Sequence, residues 1–269
     1  MPGPRRDTRG IVDAPELFAR VRFRRREPAP AFRPYVEHYW LIDWDLSEPY
    51  TSHVVPHPSV NVVFEKFGGS PAFGEVSGIG LDLFTQRLEG RGRVCGIQFR
   101  PGGFRPFASD RPVSDWTGRR VPLEEVFPAG SVSATPKQVL SPPDEDDRVR
   151  ALDSFLCLLA PEPDPQAARA MDVVDRVRRD RTIRRVEELA VQEGVSARSL
   201  QRLFAAHVGV SPKWVILRYR IHEALERAET AKAIDWARLA DELGYSDQAH
   251  LTRDFTATIG VPPTAYAIR

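Results

Sequence analysis

The rhythm of apolar positions changes about halfway along the chain. In the first half, YVEHYWLIDWDL (35–46), SHVVP (52–56), SVNVVFEKF (59–67) and GRVCGIQFRPGGF (92–104) are short runs rich in β-branched and aromatic residues, separated by Pro, Gly and Ser. Such runs broken by turn formers predict strands, here forming a mostly β, barrel-like unit. From Gln166 onward the apolar residues recur at helical spacing, with a Gly or Pro at most breaks, which predicts an all-helical half. Between them, SPPDEDDR (141–148) and PEPDP (161–165) flank the apolar segment ALDSFLCLLA (151–160) and read as an interdomain linker with a short helix. The expected class is therefore α+β, with a β-rich domain at 1–140, a linker at 141–165 and a helical domain at 166–269.

The helical half contains an internal duplication. VEELAVQEGVSARSLQRLFAAHVGVSP (186–212) resembles WARLADELGYSDQAHLTRDFTATIGVPP (236–263), with a one-residue insertion in the second copy. In the first copy Leu189 and Ala190 close a helix, Gly194 suits a left-handed turn, Ser196 is placed to cap the next helix, and Leu200 and Phe204 face inward. Leu239, Ala240, Gly244, Ser246, Leu251 and Phe255 are expected to fill those roles in the second copy. This is the grammar of a helix-turn-helix, in which a small Ala lets two helices cross closely, and it is met twice.

With its connecting segment PKWVILRYRIHEALERAE (212–229) and the ending GYSDQAHLTRDFTATIGVPPTAY, the region from about Ala168 to Arg269 resembles the DNA-binding domain of the AraC/XylS family of bacterial regulators. The resemblance implies seven helices, with two helix-turn-helix units held by the connecting helix so that both recognition helices enter successive major grooves. A sequence-specific transcription regulator acting on double-stranded DNA, without enzymatic activity or cofactor, is the function that follows.

Arg198, Gln201 and Arg202 stand at i, i+3 and i+4 and form one polar face of the first recognition helix. An Arg fork matches guanine O6 and N7, and a Gln amide matches adenine N6 and N7, so these three are the expected base readers. In the second helix the resemblance places DNA contacts at Gln248, Ala249, His250 and Arg253, with Ala249 limited to apolar contact. Ser196, Ser211, Thr252 and the N–H groups at helix starts are candidates for phosphate contacts; for the serines, capping is the equal alternative. Phe204, Trp214, Trp236 and Phe255 sit among apolar neighbours and read as core.

In the first half, HPSVNVVFE (57–65) and CGIQFRPGGF (95–104) resemble parts of an uncharacterised β-rich domain that precedes this DNA-binding domain in some relatives. By analogy it binds a small effector or forms a homodimer, and RNA polymerase is a further candidate partner. Tyr39, Trp40, Trp44, Phe64, Phe99 and Phe104 can line an apolar effector pocket or make ordinary core; the pocket reading centres on Trp40, Phe64 and Phe99, with Arg100 meeting an anionic ligand or bracing its loop. His38, His53 and His57, with Glu65, do not alternate cleanly on one strand face, and no metal site is expected.

Composition adds boundary conditions. From Gln166 onward there are 17 Lys and Arg against 14 Asp and Glu, while the preceding part carries 21 against 23. The small basic surplus lies where a polyanion is expected to bind, but is too slight to decide the matter. Cys95 and Cys157 fit no metal or redox pattern, which disfavours the alternative of a DNA-tethered enzyme with a metal-bound cysteine. An architectural binder whose first domain only oligomerises is the other alternative. The start of the chain lacks the apolar run of a signal peptide, and no run is long enough to span a membrane, so a cytoplasmic protein is expected.

Overall fold

The computed structural model describes residues 10–108, 110–230 and 234–266. Residues 1–9, on which the signal-peptide reading mainly fell, lie outside them. Strand β1 (Ile11–Val12), helix α1 (Ala14–Arg20), β2 (Arg22–Arg26), β3 (Val36–Val54), β4 (Asn61–Phe67), β5 (Phe73–Ser77), β6 (Phe84–Phe99) and β7 (Arg120–Pro122) come first. Helices α2 (Ala129–Val132), α3 (Thr135–Leu140) and α4 (Glu145–Leu159) follow.

All pairings are antiparallel, in the order β1-β3-β6-β4-β5-β7, with β2 pairing the first part of β3 while β1 pairs its end. The long β3 and β6 form the spine, in register from Tyr39 opposite Ile97 to Leu46 opposite Gly90 and again, after an irregularity, to Val54 opposite Phe84. The barrel-like expectation is corrected: the sheet is open. One face carries Leu41, Phe64, Cys95, Ile97 and Phe99, which pack with residues of α3 and α4 in the main core. The other carries Trp44, Val63 and Val94 under Leu17 of α1. With helices available to bury both faces, the sheet has no need to close on itself.

The segment read as a linker holds α4, a helix of 15 residues against the sheet. Asp144 caps it by accepting from the N–H groups of Asp146 and Asp147. Phe155 lies edge-on to Phe64 and Phe127, with ring centroids 5.3 and 5.9 Å apart. The Tyr39 hydroxyl donates to Asp153 at 2.7 Å. Arg148 is only 2% exposed, and its Nη1 donates to both carboxylate oxygens of Asp43 on β3 at 3.2 and 3.0 Å. A buried arginine among acids reads in sequence as solvated surface, which is why the helix looked shorter and detached.

The helical half comprises, among the described residues, seven helices: α5 (Pro165–Arg179), α6 (Val186–Gln192), α7 (Ala197–His207), α8 (Pro212–Thr230), α9 (Trp236–Glu242), α10 (Gln248–Ile259) and α11 (Pro263–Tyr266). The core of the first unit, including Val173, Leu189, Leu200, Phe204 and Val215, is continuous with that of the sheet domain. The second unit, built on Leu239, Ala240, Leu251, Phe255 and Tyr266, has its own core, which Val12 and Val55 of the sheet domain join.

Candidate DNA interface

Each helix-turn-helix is made by the same local chemistry. Gly194 and Gly244 take φ values of +64° and +75°, the left-handed region that side chains disfavour. This turns the chain so that Val195 N–H donates to Ala190 O at 3.0 Å and Tyr245 N–H to Ala240 O at 2.9 Å. Such bonds satisfy carbonyls that a helix end would otherwise leave orphaned. Ala190 and Ala240 are buried at the two crossings, and Leu200, Phe204, Leu251 and Phe255 are buried beneath the second helices.

The insertion in the second copy shifts one expected role. Ser196 caps α7 by accepting from Ser199 N–H at 3.1 Å, but α10 is capped by Asp247, which accepts from His250 N–H at 2.7 Å, and not by Ser246. That bond holds the Asp247 carboxyl below its ordinary range. The cap-to-cap register pairs Arg198 with Ala249, Gln201 with Thr252 and Arg202 with Arg253. Thr252, read as a phosphate contact, thus stands where the first unit has a base-reading candidate.

Arg198, Gln201, Arg202, Gln248, Ala249 and Arg253 are all exposed; Thr252 is half-buried. His250 is held by its own unit. Its Nδ1 lies 3.2 Å from Ser246 Oγ, its Nε2 3.8 Å from Asp254, and its ring sits edge-on to Tyr245. The Ser211 hydroxyl accepts from Trp214 N–H at 3.2 Å, so both Ser196 and Ser211 use their oxygens as caps.

Charge pairing sorts the cations of the helical half. Arg176, Arg178, Arg179, Arg181, Arg227 and Arg238 each lie within 4 Å of a carboxylate. Arg184, Arg218 and Arg220 donate to the carbonyls of Asp241, Leu81 and Arg184. Among the described residues, Arg169, Arg185, Arg198, Arg202, Lys213 and Arg253 have neither kind of partner. A cation left unpaired on an exposed face is available to an external anion without first breaking an internal bond.

The effector-pocket residues do not converge. Phe64 and Phe99 are fully buried core, Phe99 packing edge-on against Phe104 and Phe107. Trp40 lies against Gly96 on the opposite sheet face and donates to Asn61 at 3.3 Å. Alternation along β3 separates them, since Trp40 points away from the face that Tyr39 and Leu41 share. Arg100 braces the two halves by donating to Asp175 of α5 at 2.7 Å and to Pro34 O at 3.0 Å. It lines a cleft of about 990 Å³ between the sheet domain and helices α5 and α8.

His53 bonds to Thr85, Glu65 pairs with Arg120, and His57 stacks on His222 at 4.1 Å, while His38 and His57 both line the cleft. Cys95 is buried, which pushes its thiol up to about 11, and Cys157 is exposed on α4. A thiol so raised supplies little thiolate for the tethered-enzyme reading. No helix among the described residues is long and apolar enough to cross a membrane.

The end of α7 is fixed to the sheet domain. The Thr117 hydroxyl donates to Gly209 O at 2.7 Å, and Gly209 is closely surrounded by Ile79, Val113 and Thr117. His207, the last residue of α7, is buried with Nδ1 3.5 Å from Asp164. Burial lowers its pKa from the ordinary value, the Asp164 charge opposes this, and Arg105 adds to it. Burial therefore favours the neutral imidazole in the folded state, so the unfolded chain takes up its proton first as pH falls through about 6.5. Stability is expected to fall as pH is lowered from about 7 toward the depressed folded pKa. Urea midpoints at a series of pH values check this: His207→Gln should flatten the profile there, and an unaltered slope would show that the loss arises elsewhere.

Residues 24–122 match the family model described as a domain of unknown function (DUF6597), and residues 189–269 match that described as a helix-turn-helix domain. No curated protein matches the chain. Among solved structures, the apo form of a ToxT variant from Vibrio cholerae strain SCE256 is 13% identical, with 90% of this chain and 99% of that chain covered and a TM-score of 0.43. A second ToxT structure from Vibrio cholerae is 10% identical, with 93% and 98% covered and a TM-score of 0.42.

Proposed function

For a DNA-binding transcription regulator that carries an AraC-type helix-turn-helix domain behind a DUF6597 domain, we propose bipartite, sequence-specific reading of double-stranded DNA. Helices α7 and α10 enter successive major grooves. Arg198, Gln201 and Arg202 read bases in one; Gln248, Ala249 and Arg253 in the other, with Thr252 contacting a phosphate and His250 braced beside them. The observation that carries this reading is the pairing pattern. Three of the six cations named above as lacking a carboxylate or carbonyl partner fall on the two recognition helices: Arg198 and Arg202 at positions singled out by their spacing, and Arg253 at one singled out by the resemblance.

We assign DNA binding to residues 166–269 and regulation to the sheet domain together with α4. The core shared by the sheet and the first unit supports this division of labour. An effector or a second copy bound to the sheet domain would act on α7 through rigid packing, because well-packed interiors transmit displacement. RNA polymerase is the further partner such a regulator would meet at a promoter.

Selection of bound sequences from a random DNA pool tests the reading. The expected product is a site with two short blocks about one helical turn apart, bound with a steep dependence on salt. Salt-dependent binding with no enriched sequence would favour the architectural alternative and overturn sequence-specific reading.

A further inference from the structure

Arg169 lies on α5, outside both recognition helices, at a position the helix-turn-helix pattern does not flag. It is exposed and has no carboxylate or carbonyl partner among the described residues; even Asp172, three residues on, makes no ion pair with it. Arg179, on the same helix, is paired with Asp175. Arg169 lines a groove of about 450 Å³ between α5 and α7, with Gln166, Ser199 and Arg202 on its walls and Val195, Leu200 and Leu203 among its apolar residues.

Arg202 thus belongs to two surfaces at once, the exposed face of α7 and the rim of this groove. DNA that lays base edges along Arg198, Gln201 and Arg202 must run a sugar–phosphate strand along one flank of α7. On the α5 flank the facing group is a guanidinium free of internal partners. We infer that Arg169 holds a backbone phosphate beside the bases read by α7, fixing the register of the first unit on DNA without reading sequence. The inference rests on the DNA-binding reading above and adds a contact from a helix outside the helix-turn-helix units. Charge complementarity selects the occupant: a phosphate oxygen pair fits a guanidinium fork.

The test is titration of the full-length protein with its selected site and with a scrambled duplex, across a range of salt concentrations. Arg169→Ala should weaken both complexes by the same factor and make the slope of log K against log salt shallower by about 0.9, the counterion release of one phosphate. Arg169→Lys should restore most of the slope. Arg179→Ala removes the same charge from the same helix but from an internally paired site, and should leave the slope near that of the parent. Because Arg169 is exposed and makes no internal polar contact, thermal unfolding of its alanine variant should match the parent. A parent protein that binds neither duplex would refute the DNA-binding reading itself. If the parent binds and Arg169→Ala leaves the slope unchanged, or weakens the selected site far more than the scrambled one, the phosphate assignment is overturned.

Discussion

Replacing Arg202 and Arg253 together by alanine is expected to weaken binding to the selected DNA by about 2–6 kcal/mol while leaving the fold intact. The estimate combines two bidentate base contacts at roughly 1–3 kcal/mol each. The positions lie on separate units, so their effects should be close to additive. Cap-to-cap register makes them equivalent residues of the two recognition helices; both are exposed with no carboxylate within 4 Å, although Asp247 is near enough to feel the charge of Arg253. Removing them costs no packing, because Leu200, Phe204, Leu251 and Phe255 form the buried faces. Binding isotherms on selected and scrambled duplexes, with thermal unfolding in parallel, provide the check. A loss equal on both duplexes would move the two arginines from base reading to backbone contact.

The largest expected effect on stability lies far from DNA. Asp43→Ala should destabilise the protein by about 3–5 kcal/mol, because it leaves Arg148 as a buried cation with no counter-charge. Asp43 accepts from Arg93 and Arg148, while Arg93 also donates to Leu140 O and Pro142 O at 2.9 Å each, tying the α3–α4 junction to β3. Burial alone would raise the Asp43 pKa, but the two guanidiniums outweigh it and hold the carboxyl below its ordinary value. Its stabilising contribution is accordingly present above the unfolded carboxylate pKa of about 3.9 and lost as pH falls through the lower folded value. Adding Arg148→Met to Asp43→Ala should recover much of the loss, since an apolar side chain of similar length needs no partner there. A urea midpoint that barely moves in the single variant would show that Arg148 reaches water once Asp43 is gone.

The helix-turn-helix units were legible because their physics is local. A glycine that must adopt positive φ, a small residue at the crossing and a cap three residues before a bonded N–H all sit within about ten residues of one another. The second cap was misplaced by one residue because Ser246 and Asp247 are adjacent and both can cap; only the chain path selects Asp247. In the first half the strands were legible from alternation, but their closure was not. Whether a sheet closes depends on what covers its faces, and α4 was hidden by the charged residues at its start. The proposed pocket failed for a related reason. Trp40, Phe64 and Phe99 are alike in composition, yet strand alternation sends Trp40 to one face while Phe64 and Phe99 join the core on the other. Pairing states are harder to read in sequence: Asp175, four residues before Arg179, and Asp172, three after Arg169, are both spaced for an ion pair, yet only the first forms one.

In the bipartite reading, two recognition helices on one chain engage two blocks of DNA at once. The most direct measurement is the affinity for the selected site after about 5 base pairs, half a helical turn, are inserted between its blocks. Affinity is expected to fall to that of a duplex carrying a single block, because the second helix then faces the wrong side of the DNA. Affinity unchanged by the insertion would contradict the bipartite reading.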